Sequence, residues 1–197
     1  AGMRQSQRQK LRAEGIATIE ELAALPGGCS VKGLTGEALH ELRQQAELQL
    51  TPVGADGRPA YRLRPAVTGK GLSALPAADH GDIWFDMEGI QDSVAGTKLE
   101  YLFGACYRDT PGTFPVFKAW WAHTPDEEKA AFAAWVDWVE ARRQSHPGLH
   151  VYHYAAYEKT AMRRLAQQHA TREIEIDNWL RNGLLVDLLP VVTSSIV

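Results

Sequence analysis

The first part of the chain spaces its apolar residues for helix faces. A glycine-leucine turn at Gly33 separates two short predicted helices. Thr18 and Thr35 are the predicted N-caps, and Thr18 forms a capping box with Glu21. The apolar stripe of the second helix consists of Leu39, Leu42, Ala46 and Leu50. We therefore predict a small helical segment over residues 1–50.

Two short helices around a glycine-leucine turn are similar to a helix-hairpin-helix unit, whose turn amides hold a DNA phosphate. Lys32 and Arg43 are the basic residues expected to bind nucleic acid there. The alternative is a helical packing module without a ligand.

Residues 51–80 are rich in proline, glycine and alanine and are predicted to be a linker with one short strand around Leu63. From residue 81 the pattern changes to apolar strands followed by amphipathic helices. Three strands with short connections are followed by a helix, a fourth strand and two more helices. Residues 81–197 are therefore predicted to be an α/β domain with a mixed sheet flanked by helices, the layout of a ribonuclease H-like fold.

The most apolar strand, "DIWFDME", is predicted to end in two acids. Asp86 and Glu88 are two residues apart and so share a strand face with Trp84. The opposite face carries Ile83, Phe85 and Met87. A carboxylate that loses water needs cations or hydrogen-bond donors. A metal ion is one such partner.

A third acid, Glu158, opens the helix that follows the fourth strand. In the predicted fold the first and fourth strands are parallel neighbours, so Glu158 is expected close to Asp86 and Glu88. Oxygen-only ligands select Mg²⁺ or Mn²⁺. Two such ions catalyse phosphodiester hydrolysis.

Two motifs carry a family resemblance. "FDMEG" resembles the D-x-E motif of the DEDD 3′–5′ exonucleases, and "HYAAYE" is similar to their second motif, Asn-x-x-x-(Phe/Tyr)-Asp. Together with "EYLFG" and "VDLLPVV", they resemble the ribonuclease H-like domain of bacterial RecB-like predicted nucleases. The resemblance implies a two-metal nuclease acting on DNA or RNA, sometimes joined to a helicase or another nuclease domain. It implies Asp86, Glu88 and Glu158 as the catalytic metal ligands.

The second motif departs from the family pattern, because His153 stands at the asparagine position and Glu158 at the aspartate position. Tyr157 matches the aromatic position. With Asp187, which is either a supporting acid or a helix cap, His153 and Tyr157 are expected to surround the ligands. The third motif of the family is expected beyond Val197, so this chain is expected to be a truncated fragment that lacks the general base and the fourth metal ligand and is inactive on its own.

Charge is unevenly distributed. Residues 1–75 hold 10 Lys and Arg against 7 Asp and Glu, whereas residues 76–197 hold 11 against 17. A basic first part beside an acidic second part fits metal chemistry near a polyanion, and Lys98 is a further candidate for phosphate contact. Two distant cysteines give no disulfide or zinc pattern, and no apolar stretch is long enough for a membrane span. A cytoplasmic protein without a membrane partner is predicted.

Each acid also has an ordinary structural interpretation. Asp86, followed by Glu88 and Gly89, also fits a strand-end turn with solvated acids, and Glu158 at a helix start is favoured by the helix dipole. The alternative function is a non-catalytic nucleic-acid-binding or scaffold module that keeps the fold and has lost the chemistry.

Overall fold

The computed structural model describes residues 3–91 and 98–197. The chain forms two compact units, one made of residues 1–72 and 193–197 and the other of residues 73–192. Within the described ranges, none of the helices has both the length and the apolarity that a membrane span needs.

The first unit is helical. Its helices are α1 (Gln5–Ala13), α2 (Ile19–Ala23) and α3 (Gly36–Leu50). The predicted caps are confirmed, because the Thr18 hydroxyl accepts a hydrogen bond from the Glu21 N–H and the Thr35 hydroxyl accepts one from the Ala38 N–H. The core of the unit consists of Leu11, Leu22, Val31, Leu39 and Ala46.

The short strand predicted around Leu63 is reduced to a single bridge. Leu63 pairs antiparallel with Ile196, and the Arg64 N–H donates to the Ser195 carbonyl at 2.8 Å. A 3₁₀ helix at Gly71–Ala74 follows. The segment therefore contributes one point of pairing and no sheet of its own.

The second unit contains a five-stranded sheet and helices. Its elements are β1 (Ile83–Gln91), β2 (Lys98–Tyr107), β3 (Val116–Trp121), α4 (Pro125–Ser145), β4 (Val151–His153), α5 (Tyr157–His169), α6 (Glu173–Arg181) and β5 (Leu185–Asp187), followed by α7 (Leu188–Ser195), which continues into the first unit. The strand order is β3-β2-β1-β4-β5. The first three strands pair antiparallel, whereas β4 is parallel to both β1 and β5. The predicted mixed sheet flanked by helices is confirmed.

The core of this unit is built on one face of β1. The Phe85 ring stacks on Trp135 of α4 at 4.1 Å between centroids, and Trp135 meets Trp179 of α6 edge-on at 5.1 Å. The apolar stripe of α4 is fully buried and consists of Phe132, Trp135, Val136 and Val139. Burial of apolar area is the main favourable term in folding, so this cluster holds β1 in place.

Two features of the second unit differ from the prediction. Strand β5 and helix α7 were not predicted, because their apolar run "LLVDLLPVV" has no clear period of its own. The prediction that β1 ends at Asp86 and Glu88 is wrong, because pairing with β2 continues to Gln91. The pairing register shifts between Glu88 and Gly89, as at a β-bulge, and the strand continues beyond that point.

Candidate active site

The face of β1 opposite the core carries the two predicted acids. Trp84, Asp86 and Glu88 are exposed, while the residues between them are buried. The predicted alternation is therefore confirmed. The Asp86 Oδ1 atom accepts a hydrogen bond from the Met87 N–H at 2.9 Å, and the Glu88 side chain is open to solvent.

Polar side chains from β2 and α5 lie directly over the backbone at Gly89. A Cβ atom at Gly89 would collide with the Glu100 carboxylate and would lie 2.7 Å from the Tyr157 hydroxyl. The residue after Glu88 must therefore lack a side chain, because two groups from other elements occupy that space.

Strand β4 brings the second motif beside β1. Ile83 is opposite Val151 and Trp84 is opposite Tyr152 in the parallel pair, which confirms the predicted neighbours. The strand leads into a turn in which Ala155 has a φ of 69°. A side-chain-bearing residue in that left-handed region is strained, and the loop needs a compensating contact.

Asp187 supplies that contact. It lies opposite His153 in the pairing of β4 with β5, and its Oδ1 atom accepts hydrogen bonds from the Ala155 and Leu189 N–H groups, both at 2.9 Å. Asp187 thus holds the turn before α5 and the start of α7. A carboxylate acceptor makes both bonds stronger than a neutral one would.

Glu158 and His153 form a buried pair at the start of α5. Their exposed fractions are 3% and 2%, and the Glu158 Oε2 atom lies 3.3 Å from the His153 Nδ1 atom. The geometry does not make a hydrogen bond, so Glu158 Oε2 and both ring nitrogens of His153 have no hydrogen-bond partner among the described residues. Buried polar atoms without a partner are rare in folded proteins and are expected to meet water, an ion or a ligand.

The structure does not bring the three predicted ligands into a ready metal cluster. Among the described residues, no group of three or more His, Cys, Asp or Glu side chains is placed to hold an ion. The donor chemistry nevertheless fits a hard cation, because Asp86 and Glu88 are accessible carboxylates and the Glu158 Oε2 atom makes no hydrogen bond with any described residue.

Tyr157 ties α5 to β2 through an acid that the sequence analysis did not single out. Its hydroxyl donates to the Glu100 Oε2 atom at 2.7 Å, and Glu100 is fully buried. The Arg164 guanidinium and the Lys98 ammonium, at 3.1 Å, both contact Glu100 Oε1. Two cations and a phenol thus compensate the buried charge, as a buried carboxylate requires.

A second buried acid, Glu128, extends this network into α4. Its Oε1 atom accepts the Glu100 N–H at 2.5 Å, and its Oε2 atom lies 2.7 Å from the His169 Nε2 atom. Part of the signal was present in the sequence, because Glu100 interrupts the apolar pattern of β2 and Glu128 lies in the first turn of α4.

The pKa values of Tyr157 and Lys98 are both raised in this network. Burial raises the pKa of Tyr157, and the Glu100 carboxylate raises it further, against the opposing effect of Lys98. Burial lowers the pKa of Lys98, but its contacts with Tyr157 and Glu100 outweigh that effect and the pKa is raised overall. At neutral pH Tyr157 is therefore a protonated donor and Lys98 is a cation.

The predicted nucleic-acid contacts have different surroundings. Lys32 is exposed, whereas the Arg43 side chain is 17% exposed and donates from Nη1 to the Pro26 carbonyl at 3.2 Å. The Lys98 ammonium lies 4.2 Å from the centre of the Tyr157 ring. Arg43 therefore stabilises the loop before α3 and Lys98 contacts Tyr157, whereas Lys32 is the most accessible of the three side chains.

Comparison with known proteins identifies the second unit. A family model of the RNase H superfamily matches residues 83–197, more than half of the chain. No curated protein and no solved structure gives a significant match. The matched region contains all of the predicted metal ligands, and domains of this superfamily point to nuclease activity on nucleic acid in general. The chain belongs to the RNase H superfamily.

Proposed function

We propose that this chain carries a metal-dependent nuclease site of the DEDD 3′–5′ exonuclease type, like that of the RecB-like nucleases. Asp86, Glu88 and Glu158 are the proposed ligands of Mg²⁺ or Mn²⁺. The observation that carries the proposal is the buried Glu158 Oε2 atom, which lies 3.3 Å from the His153 Nδ1 atom and makes no hydrogen bond with any described residue. Bound divalent ions would supply an activated water and stabilise the leaving oxygen.

The protein's own residues have separate proposed roles. Asp86 and Glu88 present carboxylates on an open strand face that a nucleic acid strand can reach. Tyr157 anchors the first turn of α5 through its bond to Glu100, which fixes the backbone next to Glu158. His153 packs against Glu158 and limits its rotation. Asp187 positions the turn between them.

The 3′–5′ direction rests on the motifs. The D-x-E arrangement of residues 86–88 and the tyrosine-acid pair of residues 157–158 have the spacing of the exonuclease motifs. A helicase or a second nuclease domain in the same parent chain is the proposed partner, on the resemblance to RecB-like proteins.

The second candidate function is a non-catalytic nucleic-acid-binding or scaffold module. It is favoured by the lack, among the described residues, of a preformed metal group and by the two substitutions in the second motif. The two functions differ in metal binding, so calorimetry separates them before any activity is measured.

The test is a calorimetric titration of the full chain with Mn²⁺, using wild type, Asp86→Asn and Glu88→Gln. The matched control is Asp177→Asn, because the Asp177 carboxylate lies on the surface beside Arg181. We expect binding heat for wild type and the control and its loss in the two site variants. A degradation assay on 5′-labelled single strands of DNA and RNA follows. Equal heat in all four proteins contradicts the proposed site, and no heat in wild type favours the scaffold.

A further inference from the structure

A small cavity lies beside the exposed face of β1. Its volume is about 290 Å³ and it is lined by Ala78, Asp79, His80, Asp82, Trp84 and Arg108. Ligand cavities in proteins have volumes of about 300–1,000 Å³, so this one lies at the lower end of that range and has room for one small ligand group. All of its walls belong to the second unit.

Trp84 provides an aromatic surface in this cavity. Its side chain is 41% exposed, although large aromatic residues of a sheet are normally covered. Tyr152 of β4 lies beside it, with the two rings 6.3 Å apart and inclined by 21°. Tyr152 is itself 9% exposed, so a buried neighbour supports the indole.

Arg108 supplies the positive charge. Its guanidinium carbon is 5.9 Å from the centre of the Trp84 ring, near the outer limit of a cation–π contact. The Arg108 Nε atom donates to the Thr113 carbonyl at 3.1 Å, which orients the side chain. The Arg108 guanidinium is thus oriented by Thr113 and makes only a weak contact with the Trp84 indole.

Two carboxylates, Asp79 and Asp82, form an acidic wall of the cavity, and backbone N–H groups hold both of them. The Asp82 Oδ1 atom accepts the His150 N–H at 2.8 Å, and its Oδ2 atom accepts the Asp79 N–H at 3.0 Å. The Asp79 Oδ1 atom accepts the Gly81 N–H at 2.6 Å. A negative wall repels phosphate and accepts hydrogen bonds from amino groups of a base.

We infer that this cavity binds one nucleotide of a single-stranded nucleic acid, with its base stacked on Trp84 and its phosphate paired with Arg108. The inference rests on the proposed nuclease function and adds a substrate-positioning site to it. Stacking on an aromatic side chain accepts any base, and arginine pairs readily with phosphate. The acidic wall turns the base inward and the phosphate toward Arg108.

Trp84 lies close to the proposed metal ligands on β1. Trp84 and Asp86 are two residues apart on the same strand face, a separation of about 7 Å along the strand. A strand held at Trp84 therefore passes close to the proposed metal ligands. Trp84 is a positioning residue, because it orients the substrate and does not touch the scissile bond.

The test measures binding without chemistry. A short fluorescein-labelled single-stranded DNA is titrated with the full chain in EDTA, and anisotropy reports the dissociation constant. We expect Trp84→Ala to weaken binding about 5- to 150-fold, equivalent to about 1–3 kcal/mol. Trp84→Phe should retain most of the affinity, and Arg108→Gln should weaken it and flatten its salt dependence.

Trp121→Ala is the matched control, since Trp121 is a tryptophan of strand β3 that is 57% exposed and lies outside the cavity. It should bind as wild type does. Unchanged binding in both Trp84→Ala and Arg108→Gln overturns the site, as does an equal loss in Trp121→Ala or no binding by wild type. Circular dichroism melts show whether each variant is folded. If Trp84→Ala does not fold, Arg108→Gln still tests the site, because Arg108 is exposed and its replacement is a surface change.

Manganese calorimetry keeps this site distinct from the metal site. Trp84→Ala should bind Mn²⁺ like wild type, because Trp84 is not one of the proposed metal ligands. If wild type does not bind Mn²⁺, the proposed function alone is refuted. If Trp84→Ala binds the oligonucleotide as tightly as wild type does, the nucleotide site alone is refuted.

Discussion

The Glu158 carboxylate lies 3.3 Å from the His153 ring in a buried position, yet neither group completes a hydrogen bond with the other. An unpaired buried polar atom costs about 1–3 kcal/mol. The arrangement is understandable if the free oxygen of Glu158 serves a ligand, because a fully bonded carboxylate would have to give up a partner before it could bind one.

Glu158→Gln tests this interpretation through stability. The change keeps the size of the side chain and removes a buried charge, so the metal-free protein should melt at the same temperature or higher. Wild type should gain stability with Mn²⁺, by about 2.7 kcal/mol at a hundredfold excess over the dissociation constant. Glu158→Gln should lose that gain, and differential scanning calorimetry with and without Mn²⁺ measures it.

Asp177→Asn again serves as the control and should respond to Mn²⁺ like wild type. An undiminished Mn²⁺ response in Glu158→Gln would remove Glu158 from the set of ligands while leaving Asp86 and Glu88 open to the same test.

Gly89→Ala tests the close approach of β1, Glu100 and Tyr157. The added methyl group would meet the Glu100 carboxylate and the Tyr157 hydroxyl, so at least one of them must move. Overpacking of this kind costs about 1–3 kcal/mol, and urea unfolding followed by circular dichroism measures it. Gly36→Ala is the control, because Gly36 begins α3 with open space around it and alanine favours a helix. An equally stable Gly89→Ala protein would contradict the packing.

Asp137 and Arg172 make a pH-dependent contribution to stability. The hydrogen-bonded Arg172 guanidinium, at 2.6 Å, lowers the pKa of Asp137 despite partial burial. Because the folded-state pKa is below the unfolded value of about 3.9, the contribution is present above pH 3.9 and is lost as the pH falls through the folded-state pKa.

The melting temperatures of wild type and Asp137→Asn should therefore differ at neutral pH and converge as acid is added below pH ~4. The pair is partly exposed, so the difference should be small and should shrink in high salt. A constant difference across this pH range would show that the pair does not titrate as described.

Lys32→Gln tests the proposed nucleic-acid contact of the helical unit. Removal of one phosphate contact should weaken DNA binding and reduce its salt slope by about 1, while the melting temperature stays unchanged. Arg43→Gln should instead lower the melting temperature, because Arg43 holds the Pro26 carbonyl. Filter binding over a salt series makes the comparison. An unchanged slope in Lys32→Gln would favour the packing module.

Local patterns in the sequence were sufficient for much of the fold. The alternation of Ile83 to Glu88 sets which side chains face the core, since strand neighbours point to opposite faces whatever they pair with. The caps at Thr18 and Thr35 depend on residues three positions away. The apolar stripe of α4 likewise follows from a period within the helix.

The tertiary structure alone decided the polar interior. Glu100 meets Tyr157 and Arg164 from far along the chain, and no local period encodes those contacts. The continuation of β1 past Glu88 depended on β2 as a partner. The burial of Glu158 depended on how α5 packs after the turn held by Asp187. Residue types, and the helix or strand face on which each lies, thus follow from the order of residues in the chain. The hydrogen-bond partners, the burial of the acids and the missing hydrogen bond at Glu158 Oε2 arose only when distant segments packed together. The reason is that electrostatic and hydrogen-bond energies depend on separation in space and not on separation along the chain.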